Sequence, residues 1–215
     1  MKEQFIEIFN DHIKRPGASA LLAWLEKSDF FASPASTCFH LSEPGGLAKH
    51  SIHVYERLRE LYSNELARNT DGPVILSDED EEKIAICGLL HDICKVGCYK
   101  QEPRNQKTYD PEKVKNAQKW QVKHDDLGDF VWETVMGYKF DEDFVYGHGE
   151  KSVYIASAYM KLTREEAVAI RFHMAAWQDG EKQNAGKAFE RYSLAVMLHI
   201  ADLQATYLDE VEQNG

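Results

Sequence analysis

Six side chains of this sequence have the chemistry of metal ligands: His50, the adjacent pair His91-Asp92, His148, His173 and Asp202. Imidazole nitrogen and carboxylate oxygen together suit a divalent transition metal, and a metal with open positions suits hydrolysis. A lone histidine on a helix is more often structural or solvated, and the chain has nine. The case rests on the strings in which these residues sit.

His91-Asp92 follows the apolar run Ile84-Ala-Ile-Cys-Gly-Leu-Leu90. A charged aspartate at the end of a buried helix is costly unless a cation compensates it. Lys95 follows on the same face. It either pairs with Asp92 or reaches a phosphoryl oxygen. Asp202 closes the run Leu194-Ala-Val-Met-Leu-His-Ile-Ala, apolar nearly all round, and poses the same problem. Without a cation, Asp92 and Asp202 are expected to repel each other. His199, on the side of Asp202, reads as a partner behind the ligands or a core histidine. His50 lies about one turn into a helix opened by Gly45-Gly46, and His53 shares its face as a partly exposed structural histidine. His148 begins a helix in YGHGEKS, and His173 ends one in AIRFHM. In the first of these, Lys151 sits where phosphate binding is easy and Ser152 reads as a helix cap. Arg171 is expected in a surface salt bridge.

The order His … His-Asp … His … His … Asp, with the strings GLLHDICKVG and LHIAD, resembles the HD-domain superfamily of metal-dependent phosphohydrolases. It is similar to the HD domain of 3′–5′ exoribonucleases and, more distantly, to HD-GYP phosphodiesterases. The likeness covers roughly residues 44–209, with gaps. It implies an all-α, HD-type helical bundle and a hydrolase of phosphate esters, of the EC 3.1 class. His50, His91, Asp92 and Asp202 would hold one divalent ion. His148 and His173 would hold a second, with Asp92 as the bridge. Relatives often carry His-His where this chain has His173-Met174, which loosens the second position. Cys94 stands in the HD-x-x-K motif where a small residue such as glycine is common. Asp92 and Lys95 are the expected catalytic residues, Lys95 neutralising charge on the phosphoryl oxygens. The ion would be Mn, Fe, Co, Ni, Zn or Mg. Tetrahedral structural zinc is disfavoured, since no thiolate accompanies these ligands. The substrate class is a phosphate ester of a nucleotide or another small phosphorylated compound. The alternatives are a nuclease or phosphodiesterase on short RNA or a cyclic nucleotide, and a regulatory module that binds metal and nucleotide without turnover.

The elements that must position these residues read mostly as helix. Periodic apolar positions predict helices over about 3–14, 18–28 and 46–68. Ser77 followed by acids predicts a helix start, and Gly97 a stop. Further helices are expected at about 150–160, 164–176 and 187–211. Residues 98–147, with Pro103, Pro111, Gly128 and Gly137, read as an excursion holding a small β-hairpin. The chain is read as a single domain over 1–215: an N-terminal helical extension over 1–43, and a core over 44–209 with the 98–147 insertion. Phe39, Tyr99, Trp120 and Trp177 are candidates to stack on a ring.

A net charge of −11 argues against long nucleic acid, which needs clustered Lys and Arg. It leaves room for a small anionic substrate, because a bound cation reverses the local sign. The four cysteines show no CxxC spacing and read as reduced thiols. No apolar h-region opens the chain, and no window reaches the ~18 apolar residues of a membrane span. The protein is expected to be cytoplasmic and away from membranes; exposed aromatics of the excursion are compatible with a homodimer, and the oligomeric state is left open.

Overall fold

The computed structural model describes residues 1–68, 72–174 and 182–211. Helices come in the order α1 (Lys2–His12), α2 (Ala18–Lys27), α3 (Gly46–Arg68) and α4 (Asp78–Leu90). A tight turn, Ile93–Lys95, follows. Then come β1 (Tyr99–Thr108), α5 (Pro111–Asn116), β2 (Lys123–Asp125) and β3 (Gly128–Phe140). Helices resume with α6 (His148–Ser157), α7 (Arg164–Phe172), α8 (Lys182–Arg191) and α9 (Ser193–Gln204). A wide helical turn, Ala205–Glu210, ends the described chain but for Val211.

The chain is mostly helical rather than all-α. In the excursion a three-stranded antiparallel sheet, ordered β1-β3-β2, replaces the expected hairpin. The long pair runs from Tyr99 opposite Phe140 to Thr108 opposite Val131. β1 gives no apolar alternation because nearly all of it is exposed. The helix expected over 187–211 is interrupted: Tyr192 is extended between α8 and α9, and the end unwinds into the wide turn. Trp177 lies outside the described residues.

Capping sets the start of two site helices. Ser77 and Asp80 exchange hydrogen bonds at α4, and Thr163 and Glu166 do the same at α7. α3 is the central helix, packed on α4 and α9, and α7 also lies against α9. Every residue from Ile84 to Leu90 is buried, so α4 enters the core on all sides. Residues 1–43 share that core. Phe5 and Phe9 of α1, Leu21 and Leu25 of α2, and Phe30 belong to the same apolar cluster as α3, α4 and α9. Each fully buried phenylalanine there contributes about 1.5–3 kcal/mol. Arg15 clamps the edge, bonding Glu82 of α4 and Glu166 of α7.

Two glycines bring the site helices together. A Cβ at Gly88 would stand 2.5 Å from Tyr55 Cα, so only glycine lets α4 touch α3 at this level. A Cβ at Gly149 would stand 2.2 Å from the Arg171 carbonyl oxygen, where α6 meets α7.

Candidate metal centre

The close approach at Gly88 places the end of α4 beside α3. His50 Nε2 and His91 Nε2 come within 3.2 Å of each other. Asp202, on α9, brings Oδ1 to 3.3 Å from His50 Nε2. Asp92 Oδ2 lies 3.7 Å from His50 Nε2 and 3.6 Å from His91 Nε2. All four side chains are buried. The sequence-predicted ligands His50, His91, Asp92 and Asp202 therefore converge.

His173 joins them, with Nε2 3.4 Å from Asp92 Oδ1. This nitrogen is buried and has no hydrogen-bond partner. A buried, unpaired acceptor is costly, so a missing partner is implied. His148 reaches the same carboxylate oxygen, its Nε2 lying 2.7 Å from Asp92 Oδ1. Five imidazoles thus stand in a row, His40-His50-His91-His173-His148, with ring centres 4.9–5.2 Å apart.

The far nitrogens are fixed from behind. His91 Nδ1 donates to the Gly88 carbonyl at 2.8 Å, and His173 Nδ1 to that of Ile170 at 2.6 Å. Each ring then turns its Nε2 lone pair inward, the arrangement of a metal-ligating histidine. His199 Nδ1 bonds the His173 carbonyl, so it acts behind the ligands. His50 is held differently. Its Nδ1 lies 3.0 Å from the carboxylate of Glu210, which the wide turn carries under α3. Glu210 also takes Nδ1 of His40 and of His53. Neither Glu210 nor the role of His40 was visible in the sequence. On a regular α-helix, eight residues set Glu210 about 80° round from Asp202; the wide turn redirects it.

The charges compensate one another without a metal. Burial alone would lower the pKa of His50, but the carboxylates of Asp202 and Glu210 override it and raise it to about 9. Burial lowers His91 to about 4, so it stays neutral. Burial would raise Asp92, yet Lys95 and then His91 and His148 hold it far below the usual carboxylate range. Asp202 is likewise held low against burial, chiefly by His50. The expected repulsion between Asp92 and Asp202 is thus absorbed by His50 and Lys95.

Lys95 Nζ lies 2.7 Å from Asp92 Oδ2 and donates to the Ala35 carbonyl at 2.8 Å. Tyr99 donates to the same carbonyl, so both residues tie the 29–44 loop to the site. Lys151 does not face the site. It is buried against Glu142 and Cys98. Ser152 is no cap either: its Oγ accepts from Cys94 N at 3.2 Å and docks the turn after Asp92 on α6. Arg171 pairs with Glu150, as expected. Trp120 does not line the cavity and is 71% exposed. A thiol stands beside one of these side chains: Cys94 Sγ lies 3.4 Å from His148 Nδ1.

A cavity of about 230 Å³ opens over this centre, lined by the polar side chains of His50, Asp92, Lys95, His148 and Asp202. Phe39, Leu203 and Tyr207 add apolar surface to its lining. The donor set suits a divalent cation. Imidazoles, ionised carboxylates and an unpartnered buried nitrogen converge, and the mutual distances are those of atoms sharing an ion. No helix among the described residues is long and apolar enough to cross a membrane.

A family model described as HD domain matches residues 47–211, the whole span from the start of α3 to the end of the wide turn. Comparison with curated proteins and with solved structures found no match.

Proposed function

The chain belongs to the HD-domain family, and from that premise we propose that it is a metal-dependent phosphohydrolase of a nucleotide or another small phosphorylated compound. The observation that carries this reading is the meeting of His50, His91, Asp92 and Asp202 at 3.2–3.7 Å, with His50, Asp92 and Asp202 lining one cavity. Members of this family are typically hydrolases that use divalent metals.

His50, His91, Asp92 and Asp202 would hold one ion, and Asp92, His148 and His173 line the position next to it. A divalent cation there supplies Lewis acidity and acidifies water towards neutrality. Asp92 stays ionised and offers one oxygen to each side. Lys95 lines the cavity and carries a positive charge that phosphoryl oxygens would draw away from the Ala35 carbonyl. Phe39 and Tyr207 give a leaving group apolar and aromatic surface. The cavity is smaller than the roughly 300–1,000 Å³ of common ligand sites, and the chain carries a net charge of −11. Both favour a small ester over a polymer.

The test is a panel of nucleotides and simple phosphate esters, with added Mn, on protein purified without a histidine tag. Turnover of at least one small ester is expected, lost in His91→Ala together with bound metal. Wild-type metal content in that variant sinks the assignment. Nucleotide binding without turnover moves the protein to a sensing module. Faster cleavage of single-stranded RNA than of mononucleotides moves it to a nuclease.

A further inference from the structure

We propose that Cys94 supplies a thiolate to a second divalent cation held with His148 and Asp92, so that this end of the site selects zinc-class ions over magnesium and manganese. The inference rests on the metal-dependent reading above and adds a ligand of a different chemical kind.

Three observations carry it. First, the donor atoms of Asp92, Cys94 and His148 lie within 4.8 Å of one another. Zinc–sulfur and zinc–nitrogen bonds of about 2.3 and 2.05 Å at a tetrahedral angle put the two ligand atoms about 3.5 Å apart. Cys94 Sγ stands 3.4 Å from Nδ1 and 3.7 Å from Nε2 of His148. Second, the backbone locks the sulfur in place. Cys94 N donates to Ser152 Oγ, and Gly149 lets α6 close on α7, so the turn bearing Cys94 and the helix bearing His148 are docked together. Third, the buried and unpartnered Nε2 of His173 converges on Asp92 Oδ1, the oxygen that His148 also approaches. A buried acceptor nitrogen beside that carboxylate is placed to take a cation.

His148 is the adjustable member. Its side chain is 28% exposed, so it can turn from its hydrogen bond with Asp92 and open that pair to ligand spacing. On binding, the thiol proton passes to solvent and sulfur takes the ion. Thiolate with imidazole and one carboxylate is a borderline-to-soft set that suits zinc, cobalt or iron, whereas magnesium and manganese prefer oxygen. Cys98 is not the ligand. Its Sγ donates to the Cys94 carbonyl and meets Lys151 Nζ at 3.2 Å.

Cobalt(II) alone tests this. Metal-free full-length protein carrying Cys38→Ser and Cys98→Ser is titrated with cobalt and followed by absorption. Only Cys94 and the core-sealed Cys87 then remain as sulfur sources. Visible cobalt bands report binding, and a near-ultraviolet sulfur-to-cobalt charge-transfer band reports the thiolate. Both are expected, with about two equivalents bound. Adding Cys94→Ser should remove the charge-transfer band and weaken the second equivalent by more than the roughly 10–100-fold that losing an outer partner costs. Cobalt bound with no charge-transfer band overturns the thiolate ligand and leaves the hydrolase reading standing. A band that survives Cys94→Ser overturns it in the same way. Failure to bind cobalt at all overturns both. Should the Cys94 variant not fold, the spectrum of the double variant alone decides.

Discussion

The two ends of the histidine row are built differently. At one end His50 is buried and backed by the carboxylate of Glu210, itself closed off by His40 and His53. At the other, His148 is partly open to the cavity, starts a helix that returns from the sheet, and faces a sulfur. The first end is hard, anionic and fixed. The second is softer and movable. Asp92 joins them, and a cation at either end would lean on the same carboxylate. The contrast would give neighbouring positions different metal preferences: one through outer partners, the other through ligand type.

The largest effect should come from removing the joint. Asp92→Ala takes a ligand from both ends and leaves the partly buried Lys95 without its anion. Hydrolysis should fall by at least about 1,000-fold, and metal content towards zero, by elemental analysis. Activity within tenfold of wild type would show that the ends do not share Asp92.

Chelation comes next. Metal binds the folded state, so at 100 times Kd it adds about 2.7 kcal/mol, worth about 5–10 °C in a chain of this length. Calorimetry in EDTA, with metal loss confirmed, should show a drop of that order. An unchanged melting curve breaks the premise of a buried shared centre.

Glu210→Gln sharpens the contrast. It keeps the shape but removes the charge behind His50, and should weaken the His50 end by roughly 10–100-fold. The sulfur end should keep its cobalt charge-transfer band. Equal weakening at both ends would mean that Glu210 supports the fold rather than one ligand.

pH gives a smaller, signed effect. In metal-free protein His50 is raised from an ordinary 6.5 to about 9, so its protonated form adds stability that is complete below pH 6.5 and lost as pH rises to about 9. Asp92 and Asp202 are held low, and their contribution is lost only in acid. The melting temperature of metal-free protein should therefore decline from pH 6.5 to 9. Metal affinity at the His50 end should rise over the same window as the proton is displaced. Titration calorimetry in buffers of different ionisation enthalpy counts that proton.

The smallest effect is expected in the excursion, at the turn between α5 and β2. Trp120→Ala, at a position 71% exposed, should change stability by under about 0.5 kcal/mol and leave metal content unchanged. A loss of metal there would tie the excursion to the centre.

The residues legible in the sequence were those whose polarity clashes with their surroundings. His91-Asp92 and Asp202 stand in apolar runs, and such burial demands a cation. His40 and Glu210 sit in polar, irregular stretches where nothing distinguishes them from solvated side chains. Only a wide turn, which leaves no apolar period behind it, aims Glu210 inward. The same holds for β1. Its ten residues include Pro103 and several charges, and they are exposed, so pairing with β3 rather than burial makes the strand. Cys94 was read as a plain thiol because its partner His148 comes from a segment 54 positions away.

The grip of Glu210 on His40 spans 170 positions of the chain. Contacts of such separation form only after most of the polypeptide has condensed. Ordering of His50 should then be among the last events of refolding, and tight cation capture becomes a stopwatch for completion of the native state.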